Sequence, residues 1–522
     1  MSIHDTPGAA GRAPPPRVRV TEPTQEVAGA PLAARGRPFW AGVVRRVPPR
    51  RRLPLAVYAA CQVIFLFWWA AFYPGLVSYD SVTYLLHVTT GPWVNNHSVL
   101  YDSLVWLSLH ATGGLALLTL AQTVAMSAAL AYTVVAFRRL GVPGRWTAVA
   151  AVVVAALPPI GTFIVFVWKD VAFSICAYLV VPTLAHLLSL RGRAGWRTDR
   201  RVNRLIVALG LELLGVCLFR QDGFLAVTLA AVALVVLLPG MRARLAAAAA
   251  AAVCITFVLN FSVYPAVGVQ RADTSLALGP AYADIAVAYG QRPRSFTTAD
   301  RALMARVAPL AAWKATANCY DSDWTTSQIP DFDTNATRVS GQLFSLWLRV
   351  LGRSPDLVLG ARICRGSIAW SVFQGPSRLE AQTKIAGLPL PKGNWQRIEH
   401  NPYRHAVLSR PLAVTANKAG TFLWGVSRTR QFDWLLWRAP FWCYLCYLMV
   451  FAFARARRNW ALLSLASIVA GQQLAVLADN PSQLFRYMVS PIVIGIMLVP
   501  LFFARRRTLP AGATPQALTP GG

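Results

Sequence analysis

The sequence predicts an all-α integral membrane protein of about ten transmembrane helices, with a large extracytoplasmic domain between the seventh and the eighth. Three observations carry that prediction. Only 14% of the 522 residues are charged while 55% are hydrophobic, against about 25% charged in soluble domains. Apolar runs close to the roughly 20 residues that a bilayer core requires recur along the chain. The formal net charge of +30 falls largely in short arginine runs between those segments, which is a topology signal rather than the mark of a nucleic-acid partner.

Residues 1–52 are rich in Pro, Ala, Gly and Arg and close on Arg45, Arg46, Arg50, Arg51 and Arg52. They read as a disordered basic tail held in the cytoplasm. The first span, Leu53 to Tyr73, ends at Trp68, Trp69 and Tyr73, side chains suited to an interface. The loop 76–114 therefore lies outside. Six further spans follow within 53–263: Leu115 to Phe137, Ala148 to Val167, Val171 to Leu190, Leu205 to Phe219, Phe224 to Leu238 and Leu245 to Val263. Their inner ends collect Arg138, Arg139, Arg145, Arg191, Arg193, Arg197, Arg200, Arg201, Arg204, Arg242 and Arg244.

Residues 264–431 break the pattern. They are polar, rich in Trp, Tyr, Asp and Arg, and include two amphipathic stretches, Gly341 to Leu351 and Leu357 to Trp370. One extracytoplasmic domain is expected there, since long translocated loops escape the positive-inside rule. Phe432 to Phe453, Trp460 to Leu477 and Met488 to Phe503 complete the spans within 432–504, and 505–522 forms a short cytoplasmic tail. The expected setting is the plasma membrane, multi-pass, with both termini cytoplasmic. Of eight cysteines, Cys443 and Cys446 form a CxxC inside an apolar span and read as small buried hydrophobes. Cys319 and Cys364 fall in the outer domain, where an oxidising exterior permits a bridge and two free thiols are the plainer reading.

The outer loops hold few ionisable groups. No lysine or arginine occurs between Leu76 and Gly114, yet that stretch contains Asp80, His97 and Asp102; with nothing local to neutralise it, Asp80 beside a hydrophobic surface is expected to have its pKa raised toward neutrality. Lys169 and Asp170 end the third span, Arg220 and Asp222 the fifth, and Asp479 and Arg486 flank the last turn. Each has a plain alternative: Asp80 as a helix cap, Lys169 and Arg220 as snorkelling cations, Arg486 and Tyr487 as an interface anchor, His97 as a loop histidine. Taken together, two carboxylates and three cations on one outer surface suit transfer of a group from a lipid phosphate. The cations stabilise charge on the departing phosphate, and a carboxylate accepts the proton of the attacking hydroxyl.

In order and sidedness these residues resemble the membrane glycosyltransferases of the GT-C superfamily, which include protein O-mannosyltransferases, lipid A aminoarabinose transferases and actinobacterial arabinosyl- and mannosyltransferases. Tyr79-Asp80 matches the acidic residue of their first outer loop. Asn96-His97-Ser98-Val99-Leu100-Tyr101 stands where they carry a His-Pro-Pro or Lys-Pro-Pro helix, without the prolines. Lys169-Asp170 matches their basic-acidic pair, and Arg486-Tyr487 their Arg-Tyr before the last span. The resemblance covers the spans and short loops but not residues 265–431.

The resemblance implies a polyprenyl-phosphate-sugar donor, an envelope glycan, lipid or protein as acceptor, and inversion at the anomeric centre. Asp80 would be the catalytic base and Asp170 a second catalytic carboxylate. Lys169, Arg220 and Arg486 would grip the lipid phosphate, with Tyr79, His97 and Tyr487 lining the substrate site. Some relatives bind a divalent cation, and the sequence leaves that open. The DxD pairs Asp321-Ser322-Asp323 and Asp331-Phe332-Asp333 are expected to be solvated acidic loops, with Ca²⁺ or acceptor binding as the alternative. The competing class is a transporter or flippase for a lipid-linked or anionic precursor. It calls for charges near the midplane, where the spans offer little beyond Glu212.

Overall fold

The computed structural model describes residues 48–191, 195–196, 198–373 and 392–504. The tails expected over 1–52 and 505–522 lie outside them except for residues 48–52, as do Arg193 and Arg197. Among the described residues the chain is helical apart from one parallel pair of two-residue strands, Val94–Asn95 with Gln270–Arg271, and two isolated bridges.

Seven helices are long and apolar enough to cross a membrane: Arg51–Ala71, Ala116–Arg139, Lys169–Leu190, Arg200–Phe219, Pro239–Ala266, Trp460–Ala478 and Phe485–Phe503. Two helix pairs, Gly144–Ala156 with Pro158–Ile164 and Arg430–Leu436 with Pro440–Ala456, reach that length only together and are bent by 70° and 45°. The first bend has a local cause. Leu157 precedes Pro158 and is extended, with φ −63° and ψ 124°, because the proline ring excludes the helical conformation from the residue before it. A straight span from Ala148 to Val167 is thereby corrected to a broken one. The helix Gly223–Leu237 is apolar but only 15 residues long. Among the described residues, helices able to cross thus number seven, or nine with the bent pairs, against the ten expected.

Large aliphatic side chains point away from the bundle; Val63 is 67% exposed, and Val207, Leu211, Val232 and Val236 are similarly bare. Such a surface matches acyl chains and not water. Inside, buried polar side chains bridge the irregular backbone. Gln122 Nε2 donates to the carbonyls of Ile164 (2.8 Å) and Phe166 (3.0 Å), which the break after Ile164 leaves without helical partners. Gln472 Nε2 donates to the Tyr487 carbonyl (2.7 Å) and Ser490 Oγ to Gln472 Oε1 (2.7 Å), fixing the entry of the last helix.

Within 264–431 two parts differ. Tyr282, Ile285, Trp313, Phe332, Leu343, Leu346 and Val358 form a core of their own around the helix Thr274–Gln291. The amphipathic stretches appear there as Ser340–Arg353, Pro355–Arg365 and Ser367–Trp370. By contrast Ile398, Ala406 and Val407 join the core of the apolar bundle. Arg410 N donates to the Tyr73 carbonyl (2.7 Å) and Asn417 Nδ2 to that of Ala71 (2.8 Å), so this part is strapped across the end of the first helix. Cys319 and Cys364 are disulfide-bonded.

Candidate functional site

The first loop is held open as a platform. Leu76 N donates to the Val165 carbonyl (3.0 Å) and Val167 N to that of Leu76 (2.8 Å), pairing the loop with the unwound segment before Lys169. Gly75, at φ +151°, permits this approach: a Cβ there would stand 2.6 Å from Thr119 Cγ2 and 3.0 Å from the Val165 carbonyl oxygen. Ser78 is the N-cap of the helix Tyr79–Thr89. Trp168 Nε1 donates to Ser78 Oγ (2.6 Å), and Ser81 Oγ donates to the Val167 carbonyl (2.8 Å). Asp80 is therefore not the cap; its side chain is directed elsewhere.

It meets Arg486, from the other end of the chain, in a direct ion pair. From there an alternating series of charges runs along the end of the bundle. Arg486 Nη1 also lies 3.9 Å from Asp170 Oδ2. Arg220 Nη1 donates to Asp170 Oδ1 (3.2 Å), and Arg220 grips Asp222 with two further bonds of 2.8 and 2.7 Å. Lys169 Nζ donates to His97 Nδ1 (3.2 Å) beside this row. Aromatic rings wall it in: Tyr487 lies under Arg220 (4.4 Å) and Arg486 (5.3 Å), and Trp168 under Arg486 (5.1 Å). Two polar atoms in the series have no hydrogen-bond partner, Asp170 Oδ2 and Arg486 Nε.

The structure thus brings together Asp80, His97, Lys169, Asp170, Arg220, Arg486 and Tyr487, seven of the eight side chains singled out from sequence. The eighth, Tyr79, stands at the rim, 58% exposed. One electrostatic expectation is reversed. An apolar surface around Asp80 and no local counter-charge would raise its pKa toward neutrality. Burial does push that way, but the Arg486 guanidinium, by charge and by hydrogen bond, and the Lys169 ammonium outweigh it and hold the carboxyl down to about 2. The decisive partner is 406 residues away and has no trace in the loop's own composition. His97 is pushed down to about 3, by burial first and the Lys169 ammonium second, so its ring is neutral. With Lys169 donating to Nδ1, its remaining hydrogen sits on Nε2.

Several neighbours were not expected. His87 Nδ1 lies 3.0 Å from Asp102 Oδ2, and both side chains are buried. Tyr84 packs edge-on to His97 (5.1 Å). Asp80, Tyr84 and His87 fall at i, i+4 and i+7, a helical spacing visible in the sequence. Arg397 carried no such signal. Its guanidinium covers the Tyr79 ring at 4.2 Å and Nη2 donates to Thr83 Oγ1 (3.2 Å), while Nη1 is without a partner. The first DxD pair is also not a free loop. Ser322 N and Oγ both donate to the Pro481 carbonyl (2.7 and 2.9 Å), which holds Asp323 within electrostatic reach of Arg486 and Asp80.

Among the described residues no group of three or more His, Cys, Asp and Glu side chains is arranged to hold a metal ion. Asp80 and Asp170 are separated by the Arg486 guanidinium, a donor set that does not fit a divalent cation, and no step below is routed through one. The chain matches no protein-family model, no curated protein and no solved structure, so its chemistry rests on these side chains themselves.

Proposed function

We propose that the protein is a membrane glycosyltransferase that moves a sugar from a polyprenyl-phosphate donor to a cell-envelope acceptor on the outer face of the plasma membrane. The observation that carries this reading is the alternating series Asp222–Arg220–Asp170–Arg486–Asp80, placed at one end of an apolar helix bundle and left with two unused polar atoms. A lipid phosphate at that end meets Arg486 and Lys169, with Arg397 at the rim.

The pairing of Asp80 with Arg486 supplies a switch. Unliganded, the carboxylate is a weak base. A donor phosphate competes for Arg486, and as the guanidinium turns toward it the positive charge that depresses Asp80 withdraws and the carboxylate's basicity rises. The acceptor hydroxyl then attacks the anomeric carbon. The new C–O bond forms as the bond to the phosphate oxygen breaks, the hydroxyl proton passes to Asp80, and the polyprenyl phosphate leaves with its charge shared among the cations. Neutral His97 offers Nε2–H as a donor, and Asp170 orients Arg220 and Arg486.

Asp80→Asn keeps the shape but cannot accept the proton. Sugar transfer from a polyprenyl-phosphate donor in reconstituted vesicles is expected to fall about 10²–10⁴-fold in a folded, inserted protein. A rate within a few-fold of wild type would refute the assignment.

A second reading has one observation in its favour. Glu212 lies inside a membrane helix, where its Oε1 accepts from Thr183 Oγ1 (2.6 Å) and its Oε2 is unpartnered. Buried intramembrane carboxyls of this kind serve proton-coupled transporters. Substrate movement across vesicles that Glu212→Gln abolishes and Asp80→Asn spares would favour transport.

A further inference from the structure

Beyond the charged row, one cavity of about 640 Å³ stands out in the 282–358 part. It lies between the end of the helix Thr274–Gln291 and the turn that leads into Ser322–Gln328. On its wall are two aromatic rings, Trp324 and Tyr320, two carboxamides, Gln291 and Asn318, and one cation, Lys314. Trp324 is 45% exposed although nothing in its own helix requires an indole there. Asn318 Oδ1 accepts from Tyr320 N (2.7 Å), which fixes the amide and leaves its Nδ2 hydrogens free to face a ligand. The Cys319–Cys364 bond ties this turn to the helix Pro355–Arg365.

We propose that this pocket is a saccharide-binding subsite for the acceptor; the inference rests on the glycosyltransferase reading above. The chemistry is that of sugar recognition. An exposed flat indole offers a face to the C–H groups of a pyranose or furanose ring, and large rigid aromatics do so at low entropic cost. Uncharged amides supply both donors and acceptors, which is what ring hydroxyls present in turn. A pocket built for a phosphate or an acidic peptide would concentrate cations, and here Lys314 is alone on the wall.

Position links the pocket to the charged row. Trp324 follows Asp323 directly in the chain, and Asp323 lies within electrostatic reach of Arg486 and Asp80. The preceding Ser322 is clamped to the Pro481 carbonyl by two bonds, five residues before Arg486. One short, braced turn therefore carries the aromatic platform and, next to it, an exposed carboxylate within electrostatic reach of the charged row. A glycan chain stacked on Trp324 would have its growing end directed past Asp323 to Asp80. This is a route by which a membrane-embedded site selects a polymer and not water.

The test uses the full-length protein in detergent and short neutral oligosaccharides of mannose and arabinose, read by saturation-transfer NMR. Wild type is expected to transfer saturation to at least one of the two. Trp324→Ala and Gln291→Ala should each lose most of the signal, while Trp324→Phe, which keeps a flat ring, should retain part of it. Asp80→Asn should bind like wild type. In vesicle assays Trp324→Ala should raise the acceptor KM on the order of tenfold, the loss of one aromatic contact worth about 1–1.5 kcal/mol, and leave donor KM unchanged. No saturation transfer in wild type, an undiminished signal in Trp324→Ala, or displacement of the sugars by an unstructured peptide that binds more tightly would overturn the proposal. Failure of the glycosyltransferase reading is separately visible: oligosaccharides would still bind at Trp324, but no sugar would leave a polyprenyl-phosphate donor.

Discussion

Two of the arginine–aspartate clusters among the described residues look alike in composition and differ in how fully their carboxylates are used. Around Asp284, Arg362 Nε and Trp347 Nε1 donate to Oδ2 (2.6 and 3.0 Å) and Arg365 Nη2 to Oδ1 (3.1 Å). Asp284 is completely buried, and the arginines reach on to the carbonyls of Ala478 (3.0 Å) and Pro280 (3.3 Å). Both oxygens are occupied, so the cluster closes the 282–358 core against the helix Trp460–Ala478. Around Asp80 the same residue types are each 16% exposed, and Asp170 Oδ2 and Arg486 Nε beside them are unspent. Both clusters leave one guanidinium nitrogen over, Arg365 Nε in the staple and Arg486 Nε in the site; the difference lies in the carboxylates, since the staple uses both oxygens of Asp284 while the site keeps Asp170 Oδ2 in reserve, at a cost in stability.

The comparison can be broken by exchanging the damage. Asp284→Ala strands Arg365 in the interior and should destabilise the protein by about 3–5 kcal/mol, measured by thermal unfolding in detergent, while molecules that remain folded keep their turnover. Asp80→Asn should do the opposite. If both variants lose stability alike, the two clusters are both structural. Arg486→Lys sharpens the same contrast: it keeps the charge but loses the planar guanidinium, whose Nη1 lies between Asp80 and Asp170 while Nη2 donates to the Tyr487 hydroxyl (3.5 Å). Transfer should drop on the order of tenfold, one charged hydrogen bond of about 1.5 kcal/mol or more, with insertion unaffected. An activity equal to wild type would reduce Arg486 to an anchor.

The last contrast is a pH slope. His97 is held near 3 in the folded chain and returns to about 6.5 when unfolded. Between those values the unfolded chain binds a proton that the folded one refuses, so stability rises with pH across that window and is lost on acidification through it. His97→Asn should flatten that part of the profile. An identical slope in the variant would assign it to other groups.

The helices were legible because each apolar run names its own span. What tertiary context altered were the ends and the breaks: Arg200 to Arg204 continue a helix whose apolar part begins at Leu205, and Pro158 folds one span in two. The site was legible as a set and not as a circuit. Asp80, Lys169, Asp170, Arg220 and Arg486 are conspicuous because ionisable groups at helix ends are few. Which pairs with which depends on how the first loop, the third and fifth spans and the last helix converge, and no local window contains that. For the same reason the direction of the Asp80 shift was misjudged. Arg397 was missed outright, since it reaches Tyr79 across more than 300 residues of chain. The Cys319–Cys364 bond was legible only as permission, because an oxidising exterior allows pairing without choosing the partners.

The alternating row has a consequence for how the protein lives in an energised membrane. Asp80, Asp170 and Asp222 stand opposite Lys169, Arg220 and Arg486, three negative groups and three positive. A transmembrane voltage acts on each elementary charge with about 2.3 kcal/mol per 100 mV, but on a balanced set the pulls cancel. Energising or collapsing the membrane therefore exerts no net force on the row as a whole. A phosphate arriving among them would be the one uncompensated charge, and any response of the reaction to voltage would then report on the lipid and not on the protein.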